Sequence, residues 1–531
     1  MGPTRDNPSP ADPGSSLPAP AAEIAKGYAF GGPALDLGAL IWDGTAHPGA
    51  PVRIPLAVLN RHGLVAGATG TGKTKTLQLI AEQLSAQGVP VFLADVKGDV
   101  SGISAPGVPG EGVRTRAAEV GQEWAPAAFP AEFYALGGIG TGIPLRATVT
   151  DFGPVLLAKV LGLNRTQEQS LGLVFHYADG KGLELVDLKD LRAVVAFLVS
   201  DEGRPELKGI GGLSAQTAGV ILRSLTAFEQ EGAGPFFGEP EFDTRELLRT
   251  APDGRGTVSV LELSAVQDKP RLFSTFLMWL LADLFHGLPE VGDLERPGLV
   301  FFFDEAHLLF GDASKAFLEA VTQTVRLIRS KGVGVFFVTQ SPRDVPPDVL
   351  GQLGNRVQHA LRAFTPDDAK ALKATVKTFP VSPYDLEEVL TGLGTGEAVV
   401  TVLGERGAPT PVAATRLRAP ASLMGPVDGE ALAAAVRASG LHERYAQAVD
   451  RESAYEKLSS RTGAAAAPAP AAPGRETAPE RPTAGREKPG PSLVEQVVGS
   501  GLFRSLARSV GTQIGREITR SLFGTTRRRR R

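Results

Sequence analysis

The stretch that decides the fold is GATGTGKT, residues 67–74. It follows the apolar run GLVA and leads into KTLQLIAEQL, which has helical spacing. It fits the pattern G-x-x-x-x-G-K-[ST], with Gly67, Gly72, Lys73 and Thr74 at the fixed positions. An ordinary glycine-rich turn is the alternative, but a strand before the loop and a helix after it are the context that the motif requires. The sequence therefore predicts a loop that binds a nucleoside triphosphate.

Each part of this loop has an expected partner. Backbone amides at a helix N-terminus favour phosphate, Lys73 adds charge at the β- and γ-phosphates, and Thr74 offers its hydroxyl to Mg²⁺. The sequence has no Asn/Thr-Lys-x-Asp motif for guanine, so ATP and Mg²⁺ are the expected cofactors. The predicted nucleotide-binding residues are Gly67, Thr69, Gly70, Thr71, Gly72, Lys73, Thr74 and Lys75.

A second strand, in LVFFFDEAH, ends in two acids. Asp304 is predicted to join Thr74 in the magnesium shell, directly or through water. Glu305, one residue further, is predicted to orient and polarise the attacking water. A solvated strand end with two acids is the alternative, and the nearby phosphate-binding motif disfavours it.

Two further strands end in polar residues that are candidates for the same site. VGVFFVTQ ends in Thr339 and Gln340, and Gln340 is predicted to sense the γ-phosphate. FLADVKGD places Asp95 at the tip of the strand that follows the loop's helix. Ligands of open parallel sheets collect at the carboxyl ends of strands, so Asp95 is a candidate to touch metal, water or a neighbouring subunit. Capping of a turn remains the alternative for each.

Apolar strands alternate with helical patterns along most of the chain, which predicts an α/β fold with a mainly parallel sheet covered on both faces. The expected divisions are a disordered tail (1–25), a short strand-rich lead-in (26–60), the core (61–151 and 251–420), a helical insertion (152–250), a helix (428–460), a Pro/Ala-rich linker (461–490) and a basic amphipathic helix with an arginine tail (491–531).

The composition excludes several classes of protein. The chain has no cysteine, which excludes disulfides, thiolate zinc sites and a cysteine nucleophile, and it suits a reducing cytoplasm. The N-terminus lacks the order of a secretory signal. The longest apolar run, residues 272–282, is too short to span a bilayer. A soluble, cytoplasmic protein is expected.

The C-terminal segment is the basic part of the chain. Residues 491–531 hold nine arginines against two glutamates, a net charge of +7, although the whole chain carries −3. Leu502, Leu506, Val510, Ile514, Ile518 and Leu522 recur every fourth residue and make an apolar stripe on a helix. Three partners remain open for this tail: a helix of the protein itself or of a partner, an anionic membrane, or nucleic acid.

The combination of GATGTGKT, FLADVKGD, FFFDEAH, RLIRSKGVGVFFVTQSP and GNRVQHALRAFTPDD resembles the HerA-like branch of the HerA/FtsK ATPases, within it most nearly the YjgR-type group. The resemblance covers roughly residues 25–420 and extends to the basic C-terminal helix. It implies a RecA-like core, assembly as a hexameric ring and pumping of DNA. It also implies the roles given above for Lys73, Thr74, Asp304 and Glu305.

The resemblance further supports Asp95, Gln340 and an arginine that acts across a subunit boundary. Arg329 matches this arginine best, Arg326 is the alternate and Arg61 a weaker candidate. Cations near a helix C-terminus are favoured in any case, which is the structural alternative for Arg326 and Arg329. HerA proteins carry an N-terminal β-barrel that docks a nuclease. Only 66 residues precede Gly67 here, so neither barrel nor nuclease partner is expected.

Three functions therefore remain open at the level of sequence. The first is a DNA-translocating or helicase-like ATPase. The second is an ATPase that remodels protein or acts at a membrane. The third is a nucleotide-gated scaffold that recruits partners through its basic tail. Glu305 and Gln340 speak against the third.

Overall fold

The computed structural model describes residues 17–461, apart from residues 208, 210, 293 and 312–314. All strands named within this part of the chain join one sheet of twelve strands. They are β1 (Ala34–Trp42), β2 (Thr45–Pro55), β3 (Gly63–Ala66), β4 (Val91–Asp95), β5 (Ala131–Leu136), β6 (Ile143–Leu145), β7 (Val258–Glu262), β8 (Leu299–Phe303), β9 (Val333–Thr339), β10 (Asn355–His359), β11 (Glu397–Thr401) and β12 (Ala413–Leu417).

The order of strands across the sheet is β2-β1-β12-β11-β10-β3-β9-β8-β4-β7-β5-β6. The eight strands from β10 to β6 in this order are mutually parallel. The other four extend the sheet as antiparallel neighbours beyond β10. The expected RecA-like α/β core with a mainly parallel sheet is confirmed.

Helices connect and cover the strands. They are α1 (Ala19–Lys26), α2 (Lys73–Ala86), α3 (Glu111–Glu119), α4 (Val149–Phe152), α5 (Pro154–Val160), α6 (Arg165–Lys181), α7 (Leu188–Val199), α8 (Ala215–Phe228), α9 (Pro270–Gly287), α10 (His307–Phe310), α11 (Lys315–Ile328), α12 (Pro347–Leu350), α13 (Pro366–Val376), α14 (Leu386–Gly392), α15 (Gly429–Ala438), α16 (Gly440–Tyr445) and α17 (Ala454–Arg461).

The central strands are apolar on both faces because helices cover both. Every residue of β3, β4, β8 and β9 is buried. Phenylalanines on neighbouring strands pack together, with ring centroids 4.9 Å apart for Phe92 and Phe301 and 5.5 Å for Phe303 and Phe337. Since these strands are parallel, their carboxyl ends lie along one edge of the sheet. The tips of β3, β4, β8 and β9 therefore meet at that edge.

The helical segment between β6 and β7 is built on strong helix starts. Asn164 begins α6 with a capping box, in which its Oδ1 accepts from Gln167 N at 3.0 Å and its own N donates to Gln167 Oε1 at 2.9 Å. Arg271 at the start of α9 donates to the carbonyl of Val160 at 2.6 Å, which ties α5 to the core. The segment thus packs beside the helix that precedes β8.

Two predictions of local structure were wrong. Part of the tail expected to be disordered forms α1, because Ala21 and Ile24 are buried against the core and Tyr28 bonds the carbonyls of Val400 and Pro411. The single helix predicted over residues 428–460 is three helices. Ser439 breaks it, because its side chain accepts from Leu441 N at 3.1 Å and starts a new helix.

The basic C-terminal segment, residues 491–531, and most of the predicted linker lie outside the described residues. Across residues 17–461, as far as they are described, no helix is both long enough and apolar enough to cross a membrane.

Candidate nucleotide-binding site

The loop of residues 67–72 leaves β3 and turns into α2. Gly72 adopts a φ of 108°, a left-handed conformation that favours glycine, immediately before Lys73 begins the helix. The start of the loop is held by its neighbours, since Gly67 N donates to the carbonyl of Thr339 at 3.2 Å and Ala68 N to that of Ala360 at 2.8 Å. Within the described residues, the amides of residues 69–73 donate to no protein acceptor. These amides are free to donate to phosphate oxygens.

Lys73 lies folded over its own loop. Its ammonium donates to the carbonyl of Gly67 at 2.7 Å and to that of Ala68 at 3.1 Å. Burial lowers the pKa of Lys73, and the charges of Glu305 and Asp304 act in the opposite direction. The lysine of the loop and the two acids of β8 are therefore electrostatic neighbours, as the motif spacing predicts.

The two residues after Lys73 face different surroundings. Thr74 is half-buried in the first turn of α2. Lys75 lies farther from the loop, where its ammonium donates to Gln78 Oε1 at 3.4 Å. Burial lowers the pKa of Lys75, whereas the carboxylates of Asp99 and Asp95 raise it. Lys75 thus faces the acids that follow β4.

His359 at the end of β10 lies directly beneath the loop. A Cβ placed on Gly67 would be 2.4 Å from the Cβ of His359, so only glycine allows this approach. His359 Nε2 lies 2.9 Å from the hydroxyl of Thr76 on α2. Burial, and then the charge of Lys73, lower the pKa of His359 to about 4. The ring is therefore neutral at physiological pH and supports the loop from below.

Asp304 follows the last residue of β8. Its backbone N donates to the carbonyl of Ala94 on β4 at 3.3 Å, and Ala306 N donates to that of Val338 on β9 at 2.9 Å. Burial, and then the charge of Glu305, raise the pKa of Asp304 to about 7. Its Oδ2 is buried and has no hydrogen-bond partner in the described structure. An orphaned buried carboxylate oxygen near Lys73 fits a divalent cation, with Asp304 and Thr74 as the residues that would hold it.

Glu305 is buried, pairs with Lys97 and lies close to His307. Its φ is 48°, a left-handed conformation that a non-glycine residue adopts only at some cost in energy. Its Oε1 pairs with the ammonium of Lys97, and its Oε2 lies 3.1 Å from His307 Nδ1 without the geometry of a hydrogen bond. Burial alone would lower the pKa of Lys97, but the hydrogen bond and charge of Glu305 raise it overall. The carboxylate is thus kept at the strand tip by a cation.

Asp95 at the tip of β4 organises its own turn. Its Oδ1 accepts from the amides of Lys97 and Gly98 at 3.1 and 2.8 Å, and its Oδ2 accepts from that of Val100 at 2.9 Å. The capping alternative thus describes its protein contacts. The same turn carries Lys97 to Glu305.

The tip of β9 lies between the loop and the acid pair, because β9 is the strand between β3 and β8. Thr339 is fully buried and donates to Asp344 Oδ2 at 2.6 Å. Gln340 follows it and is exposed at the same edge. The structure therefore brings Gln340 to the loop's edge of the sheet, where its predicted role requires it.

The candidate arginines lie at the opposite edge. Arg329 follows α11 and comes before β9, and Arg61 comes before β3, so both are at the amino ends of the strands. The charge of Arg329 acts on His62, which is the residue immediately before β3. Arg326 is exposed on α11, one turn earlier. Within one chain these arginines are not brought together with the loop.

Several residues of the site were missed in the sequence. Lys97 stands in FLADVKGD beside Asp95, and a cation at the tip of a strand next to the acid strand was the available signal. Asp99 in the same turn and Glu262 at the tip of β7 add two carboxylates. Burial, and then the charges of Asp95 and Asp99, raise the pKa of Glu262 to about 8. These neighbours depend on strand order, which motifs do not reveal.

Comparison with protein families identifies a match over most of the chain. The family described as Helicase HerA-like C-terminal matches residues 42–531, which confirms the resemblance predicted from the motifs. Among curated proteins, "Probable helicase MJECL08" of Methanocaldococcus jannaschii is 29% identical over 153 residues. That match covers 27% of this chain and spans only 28% of the length of the relative.

Several solved structures are similar to this chain over about three quarters of its length. "Bacterial conjugative coupling protein TrwBdeltaN70", in its unbound form, has a TM-score of 0.49 and 16% identity, and the match covers 76% of this chain and 94% of that one. "Plasmid coupling protein TrwB in complex with ADP and Mg2+" has a TM-score of 0.47 and 16% identity over 74% and 99% of the two chains. VirB4 of Thermoanaerobacter pseudethanolicus has a TM-score of 0.44 and 15% identity over 73% and 97%.

Proposed function

Because the chain belongs to the Helicase HerA-like C-terminal family, we propose that it is an ATP-hydrolysing motor that assembles as a ring and translocates DNA. The observation that carries the proposal is the buried pair Asp304–Glu305 at the tip of β8, electrostatically coupled to Lys73 of the phosphate-binding loop. A binding loop alone serves switches and scaffolds, but a buried carboxylate beside the metal-binding acid serves hydrolysis.

The loop binds the triphosphate by exchanging partners. The ammonium of Lys73 leaves the carbonyls of Gly67 and Ala68 for the β- and γ-phosphates, and the free amides of residues 69–73 donate to phosphate oxygens. This exchange compensates the buried charge of Lys73, which has only carbonyls as direct partners without nucleotide. Mg²⁺ bound with ATP would supply positive charge to the phosphates, and Asp304 and Thr74 are the residues that would hold it.

Glu305 orients the attacking water and accepts its proton. Its carboxylate is held at the strand tip by Lys97, and only 6% of the residue is exposed, which limits access of bulk solvent. Gln340, exposed on the neighbouring strand tip, lies where the loss of the γ-phosphate can be transmitted to β9. General-base assistance of this kind is worth about 10² to 10⁴ in rate.

The ring is proposed because the candidate arginines Arg329, Arg326 and Arg61 are not brought to the loop of their own chain. Arg329 and Arg326 lie at the amino ends of the strands, at the edge opposite to the loop. An arginine at that edge reaches a nucleotide only in a neighbouring subunit, and such a residue supplies about 10³ to 10⁵ in rate. By family resemblance the ring has six subunits. DNA is proposed as the translocated polymer because the family is described as helicase-like and the archaeal relative is named a probable helicase.

The test is steady-state ATP hydrolysis by the full chain, with and without single-stranded and double-stranded DNA. Glu305→Gln and Lys73→Ala serve as blanks, and Glu387→Gln, an exposed glutamate of α14, is the matched control. The proposal predicts turnover that DNA stimulates several-fold, that both blanks abolish and that the control retains.

Turnover that depends on Glu305 but ignores DNA would reject the DNA translocase and favour a motor acting on protein or at a membrane. Nucleotide binding without turnover in the wild type would reject the motor altogether and favour the scaffold.

A further inference from the structure

The carboxyl ends of β4, β7 and β8 carry a group of acids beside the nucleotide site. We call Asp95, Asp99, Glu262 and Asp304 the acidic cluster. Asp95, Glu262 and Asp304 are buried, with at most 7% of each residue exposed, and Asp99 is half-buried in the turn after β4. Buried carboxylates are usually neutralised by a partner or a metal ion, so this concentration needs an explanation.

The strand order places most of the cluster away from the phosphate-binding loop. From β3 the order runs through β9 and β8 to β4 and β7. With neighbouring strands about 4.8 Å apart, β4 lies about 14 Å and β7 about 19 Å from the loop's strand. Asp304 on β8 borders both regions. Asp304 therefore lies between the loop and the other three acids of the cluster.

Three of the four acids converge closely enough to share one ion. Asp95, Asp99 and Asp304 each offer a carboxylate oxygen, and these three oxygens lie within 4.8 Å of one another. Hard divalent cations bind carboxylate oxygens. Ca²⁺, for example, binds them at about 2.3–2.6 Å, so two oxygens on opposite sides of the ion are about 4.6–5.2 Å apart. The spacing matches the diameter of such a coordination shell.

Within the described residues, three carboxylate oxygens of the acidic cluster accept no hydrogen bond and are free to bind a cation. Asp304 Oδ2, Asp99 Oδ1 and Glu262 Oε1 are buried and accept no hydrogen bond in the described structure. Asp304 and Glu262 are themselves more than nine-tenths buried. Glu262 reaches over the turn after β4, since a Cβ on Gly98 would lie 3.6 Å from Glu262 Oε2. These oxygens lose their hydrogen bonds to water when the chain folds, and no protein donor in the described structure replaces them.

The neighbouring lysines lie near enough for the charge of Asp99 to act on both, but within the described residues neither forms a direct ion pair with the cluster. Lys97 pairs with Glu305, outside the cluster, and the ammonium of Lys75 donates to Gln78. Asp95 is held rigidly by the three amides of its turn, which fixes its carboxylate as a preformed ligand. Rigid carboxylates with orphaned oxygens are the ligands that hard cations prefer.

We propose that Asp95, Asp99 and Asp304 bind a divalent cation of the Mg²⁺, Mn²⁺ or Ca²⁺ class in the absence of nucleotide, with Glu262 closing the far side of the site. The cation fixes the turn that carries Lys97, and it thereby positions the partner of Glu305. Only Asp304 is shared with the proposed function, so the site does not require turnover or DNA.

The test measures binding of Mn²⁺ to the full chain without nucleotide, by electron paramagnetic resonance of free and bound ion. We expect one Mn²⁺ per chain in the wild type and at least tenfold weaker binding in Asp99→Asn. Glu262→Gln, which changes a residue that closes the site, is expected to weaken binding less. Asp348→Asn, an exposed acid of α12, is the matched control and should bind as the wild type does.

Lys73→Ala separates this proposal from the proposed function. It should lose ATP binding and keep the Mn²⁺ site, so failure of hydrolysis leaves the cation result intact. Mn²⁺ that binds only when ATP is present would place the ion at the triphosphate and overturn the proposal. Equal affinity of Asp99→Asn and the wild type, with both folded by circular dichroism, would also overturn it.

Discussion

Lys97 carries more of the site's electrostatics than its place in the sequence suggests. It stands on a turn built by Asp95 and pairs with the buried carboxylate of Glu305. A buried charged group that has lost its partner costs several times more free energy of folding than an unpaired charge exposed to water. The position of the Glu305 carboxylate at the strand tip therefore depends on a residue from a different strand.

Replacing Lys97 tests this dependence. Lys97→Met removes the cation and keeps the length of the side chain, and we expect kcat to fall about tenfold or more while the affinity for ATP stays nearly constant. Lys97→Arg retains the charge and should restore much of the loss. Steady-state kinetics with a separate binding titration distinguishes the two effects. A rise in kcat in Lys97→Met would contradict this account and show that the pair restrains Glu305.

His62 provides a test of stability at the other edge of the sheet. It is fully buried and its Nδ1 accepts from Val335 N at 3.0 Å, and burial lowers its pKa to about 4. Between pH 6.5 and pH 4 the unfolded chain therefore binds more protons at this position, and stability falls as the pH falls. From pH 7.5 to pH 5 this residue alone costs about 2 kcal/mol.

His62→Asn should therefore behave differently at the two pH values. The variant is expected to be less stable than the wild type at pH 7.5, because packing and the bond to Val335 change. Its deficit in Tm should shrink at pH 5, because proton binding by residue 62 in the unfolded chain destabilises the wild type and not the variant. Thermal melts at both pH values measure the difference. A deficit that is the same at both would show that His62 is not held neutral.

At the scale of elements, the phosphate-binding loop depends on β10. His359 packs under Gly67 and its ring reaches Thr76 on α2, so one strand end supports both sides of the loop. The loop is also joined to the segment before β11, since Gly396 N donates to the carbonyl of Thr71 at 3.0 Å. The shape of the loop is thus a property of three elements.

Gly67→Ala tests this packing. The new Cβ would lie 2.4 Å from the Cβ of His359 and 3.1 Å from its Cα, so the loop must move. We expect ATP affinity to fall at least tenfold with the rest of the fold intact. Gly172→Ala in α6 is the control, because a Cβ there meets nothing within 4 Å and raises helix propensity by up to about 1 kcal/mol. Unchanged affinity in Gly67→Ala would show that the contact is not limiting.

The motifs predicted the residues that they contain, but they did not predict the residues that neighbouring strands bring to the site. GATGTGKT and LVFFFDEAH specify local backbone and strand tips, so the positions of Lys73, Asp304 and Glu305 follow from short-range sequence. Lys97, Glu262 and His359 come from strands that are distant in sequence, and only the order of the sheet brings them to the loop. The helix α1 was missed because its segment has the Pro/Ala-rich composition of a disordered tail. The burial of a few residues such as Ile24 cannot be read from that composition. Tertiary packing, rather than propensity, orders that segment.

At the scale of the whole molecule, the separation of Arg329 from its own loop predicts sites shared between subunits. Arg329→Ala and Glu305→Gln should each be inactive alone, with a loss of about 10³ expected for the arginine. In a 1:1 mixture, a site made of Glu305 from one variant and Arg329 from the other is intact. Random assembly makes about a quarter of the sites complete, and turnover should recover accordingly.

The control for mixing is Glu305→Gln combined with Lys73→Ala, both of which damage the same side of the site and should not complement. A wild-type rate for Arg329→Ala alone would reject this residue as the shared arginine and direct attention to Arg326 or Arg61. Recovery in the control mixture would mean that the gain in turnover does not come from sites shared between two subunits.

In the proposed mechanism, this chain hydrolyses ATP with Glu305 acting on the attacking water. The most direct measurement is the rate of ATP hydrolysis and the affinity for ATP, taken on the same preparations of wild type, Glu305→Gln and the control Glu387→Gln. We expect Glu305→Gln to bind ATP as tightly as the wild type but to turn it over at least 100-fold more slowly, near the lower bound of general-base effects. Turnover in Glu305→Gln equal to that of the wild type would contradict the proposed mechanism.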